Sequence, residues 1–240
     1  MANTFFQFKQ FTVHQDKCAM KVCTDACLFG AWVAEKVCDE NWKLDNILDI
    51  GAGTGLLSLM LAQKLTNAAI DAIEINPDAA KQAANNFQSS LWSNRFNIIE
   101  ADIKSIEATK KYDLIISNPP FFDNDLKSPH ADRNLALHSS ELSIEQLVRI
   151  AKNLSAKDGK FAVLLPFHRA EETEELARSC GFFSEEKILV RQTDKHPFFR
   201  VMFIFGKTGA PLKTSEIVIK QNNVYSPQFI ELLRDYYLYL

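Results

Sequence analysis

The sequence predicts an α/β fold: a doubly wound, mostly parallel sheet with helices on both faces. Three observations carry that expectation. From residue 46 onward, short apolar runs alternate with segments whose apolar residues recur at helical spacing. Several of the runs are apolar throughout, as in strands covered on both faces. The first, residues 47–50, leads directly into the glycine turn Gly51-Ala52-Gly53-Thr54-Gly55 and then into a helical pattern, an order that places a ligand at the carboxyl end of a strand.

Taken in order, residues 5–14 alternate imperfectly between apolar and polar and predict a short hairpin. Thr24-Asp25 offers an N-cap for a helix over 26–37. Strands are expected over 47–50, 69–75, 96–100 and 112–117, with helices over 56–65 and 77–87, the latter opened by Pro77. A helix over 141–154 capped by Ser139 or Ser140, a strand over 160–165 and a helix over 169–179 follow, and Glu171-Glu172-Thr173-Glu174-Glu175 is its solvated face. Strands over 188–192 and 200–205 close the set, and the tail adds an edge strand over 216–220 and an aromatic-rich helix over 226–240. No Pro- or Ser-rich linker interrupts this run. The division is therefore a cap over residues 1–45, a main domain over 46–206, and a C-terminal strand and helix over 207–240 packed on that domain.

Composition narrows the class. The 240 residues carry 27 Lys and Arg against 30 Asp and Glu, with 47% hydrophobic and 24% charged residues, which excludes a disordered chain. No run approaches the roughly 20 apolar residues of a membrane span, and the first 20 residues lack a signal-peptide core, so a cytoplasmic location is expected. Cys18, Cys23, Cys27, Cys38 and Cys180 fit no disulfide framework. Lacking a CxxC pair, they predict small apolar thiols rather than zinc ligands, and no metal is expected.

The chemistry gathers at strand ends. Asp49 precedes the glycine turn, Glu74 ends the second main-domain strand and Asp102 the third. The turn is a GxGxG rather than the GxGxxG that holds a pyrophosphate. Asp49 would stand near an ammonium group, Glu74 would accept both hydroxyls of a ribose, and Asp102 would accept from an adenine amino group. A nucleoside pocket without a phosphate cradle favours S-adenosylmethionine over NAD or ATP.

Asn118-Pro119-Pro120-Phe121 follows the fourth strand at the same edge. Two prolines exclude helix and ladder hydrogen bonding and hold the loop rigid. The Asn118 side-chain oxygen and the Pro119 carbonyl can each accept one N–H of a planar, conjugated amino group, turning its lone pair toward a methyl donor. Phe121 would stack on the accepting base, and Phe122 belongs to the core.

These motifs, with the flanking Phe8-Lys9-Gln10-Phe11, residues 18–26, Leu28-Phe29-Gly30-Ala31-Trp32 and Asn85-Asn86-Phe87, resemble the bacterial tRNA1(Val) adenine-37 N6-methyltransferase family from about residue 5 to about residue 206. The resemblance implies a Rossmann-like, seven-stranded class I methyltransferase sheet with its last strand antiparallel. It implies S-adenosylmethionine as donor and an adenine beside the anticodon as acceptor. Asp49, Gly51, Gly53 and Gly55 would face the donor's methionine end, with Lys21, Thr24 and Asp25 beside it, Glu74 at the ribose and Asp102 at the adenine. Asn118, Pro119, Pro120 and Phe121 would hold the target base. The sequence departs from that pattern in Cys23 and Cys27, where small residues are expected, and in Phe121, where Tyr is frequent.

An RNA substrate needs phosphate contacts. Residues 187–240 hold eight Lys and Arg against four Asp and Glu, a balance of +4, whereas the remainder stands at -7. Lys187, Arg191, Lys195 and Arg200 interleave there with Phe198 and Phe199, and the polar stretch 123–138 predicts a lid carrying Lys127, His130 and Arg133. Two other readings remain open at this point: an amino methyltransferase acting on rRNA, DNA or a protein glutamine amide, and a non-catalytic nucleoside- or RNA-binding module.

Overall fold

A computed structural model describes residues 3–18, 20–120 and 142–240. The predicted hairpin forms from β1 (Phe5–Gln7) and β2 (Thr12–His14), paired antiparallel. Then come α1 (Thr24–Asp39), β3 (Asn46–Ile50), α2 (Leu56–Lys64), β4 (Ala69–Glu74), α3 (Pro77–Gln88), β5 (Phe96–Glu100) and β6 (Tyr112–Ser117). Beyond the undescribed stretch lie α4 (Ile144–Leu154), β7 (Ser155–Pro166), α5 (Ala170–Ser179), β8 (Phe183–Thr193), β9 (Phe198–Gly206), β10 (Lys213–Gln221), β11 (Val224–Tyr225) and α6 (Pro227–Leu233).

The main sheet runs β11-β10-β8-β9-β7-β6-β3-β4-β5. Seven of these strands are those expected of the main domain, all parallel except β9, which runs antiparallel to both β7 and β8. The expected C-terminal strand forms as β10, parallel to β8, but it is not the sheet edge, because the short return strand β11 pairs beyond it. Because successive strand side chains point to opposite faces, Leu114, Ile116, Met202 and Ile204 join one core with α1, α2 and α6. Leu48, Ile115, Val201 and Phe203 join the other, under α4 and α5.

Several boundaries move for identifiable reasons. Cys23, not Thr24 or Asp25, is the N-cap of α1 and caps without a side-chain hydrogen bond; the Asp25 carboxylate instead accepts from Arg200 Nε at 2.7 Å. Helix α4 begins at Ile144 under a Ser143–Gln146 capping box, three residues later than expected. Ser139 and Ser140 lie outside the described residues. Helix α6 stops at Leu233, short of the expected 240, and the chain then turns so that Tyr236 donates to the Met60 carbonyl at 3.0 Å. The acidic run of α5 is not wholly solvated: Glu174 pairs with Lys187 at 2.6 Å.

Both chain ends pack on the first core. Phe8 bridges to Tyr237, and Lys9 N–H donates to the Tyr236 carbonyl at 2.8 Å. The segment after β2 is strapped to α3 by amide side chains one turn apart. Asn86 accepts from the His14 N–H (3.0 Å) and donates to the His14 and Thr54 carbonyls, both at 2.9 Å. Gln82 accepts from the Lys17 N–H at 3.0 Å and donates to Asp16 at 2.7 Å. This strap brings Cys18 and residues 20–23 to the carboxyl edge of β3 and β4, where they become one wall of a cavity.

Candidate active site

The cavity measures about 470 Å³. Opposite the strap, its walls are the glycine turn after β3, Glu74-Ile75-Asn76 after β4, Ala101-Asp102-Ile103 after β5 and Ser117-Asn118-Pro119-Pro120 at the end of β6. Four adjacent parallel strands thus deliver their carboxyl ends to one site, as the sequence order required.

The glycine turn is closed on itself. Gly51 and Ala52 both donate to the Ile73 carbonyl (2.9 and 3.0 Å), Gly53 donates to Glu74 Oε2 (2.9 Å), and Gly55 donates to the Ala52 carbonyl (2.7 Å). These N–H groups are spent within the protein, and no nest of free donors is left among them for a phosphate. Gly55 has φ of 81°, and a Cβ there would meet the Phe87 ring at 2.5 Å, so glycine is required for both conformation and space. Glu74 also accepts from the Asn76 N–H at 2.8 Å, so its carboxylate clamps the turn while lining the cavity.

Asp49 stands behind the turn, 1% exposed. Its Oδ2 accepts from the Ser58 N–H (3.2 Å) and Oγ–H (2.7 Å), while Oδ1 is buried without a hydrogen bond among the described residues. Burial pushes its carboxyl up to about 6, against the Ser58 hydrogen bonds and aided by nearby Glu74. The native state therefore holds this proton more tightly than the unfolded chain, and the carboxylate's contribution turns unfavourable as pH rises from about 4 to about 6. Asp49→Asn should gain stability relative to the parent across that interval, by on the order of 3 kcal/mol at neutral pH. Denaturant titrations at pH 4 and pH 7 measure it; identical pH dependence in the two proteins would contradict the shift.

Asp102 accepts from the Lys104 N–H at 2.9 Å and caps a short 3-10 turn, Ile103–Ser105. Asn118 is half-buried, and its Nδ2 donates to the Met20 sulfur at 3.9 Å, while no described residue donates to its amide oxygen. Pro119 is buried and Pro120 exposed. Phe121 and Phe122 lie outside the described residues, as do Lys127, His130 and Arg133 of the expected lid.

Of the residues expected at a donor molecule, Lys21, Gly51, Gly53, Glu74, Asp102 and Asn118 line the cavity; Thr24, Asp25, Asp49 and Gly55 do not. Asp25 is turned toward Arg200, and Asp49 and Gly55 support the turn from behind. Other residues that the sequence motifs do not place there also line it, among them Cys18, Met20 and Cys23. Burial raises the thiols of Cys18 to about 11 and Cys23 to about 12, so both are neutral. The available signal was the amide pair Gln82 and Asn86 on an alanine-rich helix, at the four-residue spacing that aligns two side chains on one face. Among the described residues, no group of three His, Cys, Asp or Glu side chains gathers to hold a metal.

The basic strip is largely consumed internally. Lys187 pairs with Glu174, Arg191 with Glu216 and Arg200 with Asp25, whereas Lys195 is exposed on the β8–β9 turn. Splitting the charge along the sequence overlooked this, because three of the strip's cations meet carboxylates distant in the chain.

The strand order, the closed glycine turn and the Asn-Pro-Pro corner over one cavity define a class I methyltransferase. Residues 33–165 match the family model described as methyltransferase small domain. In fold the chain is similar to a protein from Agrobacterium tumefaciens named as a predicted O-methyltransferase, with a TM-score of 0.68 at 18% identity, covering 88% of this chain and 96% of that one. An S-adenosylmethionine-dependent methyltransferase from Clostridium acetobutylicum gives 0.54 at 13% identity, over 78% and 92%. The chain belongs to the tRNA1(Val) (adenine(37)-N6)-methyltransferase family: it is 39% identical to the member from Dyadobacter fermentans over 98% of both chains, and 40% identical to that from Trichodesmium erythraeum over 99% of both.

Proposed function

We infer that the chain methylates the exocyclic N6 of an adenine in tRNA, adenine 37 beside the anticodon of tRNA1(Val), with S-adenosylmethionine as donor. The observation that carries this reading is the pairing of a closed, acid-flanked glycine turn with the Asn118-Pro119 corner on one cavity. The turn's internally bonded N–H groups disfavour a pyrophosphate ligand, and the carboxylates of Glu74 and Asp102 suit hydroxyl and amino donors. The half-exposed Ile75 and the Ile103 side chain at the same wall suit an apolar purine face. When bound, S-adenosylmethionine supplies an electrophilic methyl group on a sulfonium.

The chain's own residues supply alignment. Asn118 Oδ1 and the Pro119 carbonyl accept the two N–H groups of the adenine amine, which weakens the conjugation of its lone pair with the ring. Proline geometry fixes both acceptors before substrate arrives, so little reorganisation is needed. The nitrogen becomes acidic only as the new bond forms, and no strong base has to be held beside it. The base is reached in a loop, where extrusion costs less than from a duplex. Lys195 remains the exposed candidate for a phosphate contact; Lys187, Arg191 and Arg200 would have to exchange carboxylate partners first.

The test is incubation of the protein with methyl-labelled donor and unmodified tRNA1(Val), followed by nucleoside mapping. N6-methyladenosine at position 37 is expected. Label in rRNA, DNA or a protein glutamine, with none in tRNA, would move the activity to another amino group, and donor binding without any transfer would indicate a binding module.

A further inference from the structure

We propose that Phe167 and Phe198, together with Arg191, form a stacking platform for one base of the RNA flanking the methylated adenine. The inference rests on the RNA-methylating reading above and names a subsite for it. Nine of the sixteen described phenylalanines are buried in the core, whereas Phe167 is 38% exposed. Its ring lies 5.4 Å from that of Phe198, tilted by 49°. The Arg191 guanidinium lies 4.2 Å from the centre of the Phe198 ring. Two aromatic rings and a planar cation in contact are the elements with which proteins hold unstacked bases.

Position distinguishes this cluster from the other exposed phenylalanines among the described residues. Phe5 belongs to the hairpin, and Phe183 starts β8, at the sheet edge opposite the cavity. Phe167 directly follows β7 at its carboxyl end, and β7 is the strand next to β6. Ser117 is in register with Val163, and Pro166 lies three residues further on. At about 3.3 Å per residue and about 4.8 Å between strands, the Phe167 backbone lies on the order of 10–15 Å from Asn118. A single-stranded loop bridges that distance within a few nucleotides. Phe198 opens β9 beside it, since Pro166 pairs with Arg200.

Charge indicates how the base is held. Arg191 is already paired with Glu216, so the cluster carries little net charge to attract a phosphate. Its contribution to RNA binding is therefore stacking, which is indifferent to salt, in contrast to a phosphate contact.

The experiment uses the full chain and a synthetic anticodon stem-loop containing adenine 37, with a second series carrying an abasic site at each flanking loop position in turn. Phe167→Ala should raise the KM for RNA by about tenfold to a hundredfold, equally at low and high salt, with donor affinity unaltered; Phe167→Trp should restore it. In the parent enzyme, one abasic position should raise KM comparably, and Phe167→Ala should be insensitive to that same position. A parental KM in Phe167→Ala, or equal abasic penalties in both proteins, overturns the platform. Absence of methyl transfer to RNA by the parent overturns the reading of the function, and the platform falls with it.

Discussion

Asn118→Ala is expected to lose about 10²–10³-fold in methyl transfer while retaining S-adenosylmethionine binding. Asn118 directly follows β6, and one N–H of its amide donates to the Met20 sulfur. No described residue donates to its oxygen, and that acceptor is needed when an amino group is being turned toward the donor. Alanine keeps Pro119 and Pro120, so the backbone corner and the Pro119 carbonyl persist. Single-turnover rates with saturating tRNA, alongside calorimetric titration of the donor, separate the two effects. Parental rates would remove Asn118 from the reaction; loss of donor binding would make it a cofactor residue.

Glu74→Ala is expected to show the opposite split, weakening donor binding by about a hundredfold or more. One carboxylate both lines the cavity and accepts from the N–H groups of Gly53 and Asn76. Its removal takes away the proposed ribose acceptor and leaves two backbone donors without their partner, each hydrogen bond to a charged group being worth roughly 1.5–3 kcal/mol. Glu74→Gln, which keeps one acceptor oxygen, should fall between. Titration of the donor decides, and parental affinity in Glu74→Ala would place the nucleoside elsewhere.

The strands and helices of the main domain were legible because each signal was local. Apolar runs of strand length, a proline opening α3 and glycines at positive φ leave the backbone few alternatives. The position of Asn118 and Glu74 was legible for a related reason: in a parallel sheet, a residue that ends or directly follows a strand arrives at the carboxyl edge, where ligands bind. Boundaries failed where a distant partner intervened. Asp25 had the residue type of a cap but was claimed by Arg200, 175 positions away. Likewise Lys187 and Arg191 had the spacing of a phosphate-tracking strip but were neutralised by Glu174 and Glu216.

By itself, then, the sequence determined the sheet's architecture and the identity of the residues on its carboxyl edge, since both follow from short-range patterning and chain order. The tertiary structure alone decided which of the polar groups face the cavity and which are consumed supporting it. Asp49 went beneath the turn, Cys18 and residues 20–23 became a wall, and Phe167 met Phe198 beyond the end of β7. The physical reason is that burial and pairing are properties of neighbours in space. A carboxylate or guanidinium takes the nearest complementary group that packing delivers, and no local pattern specifies which group that is.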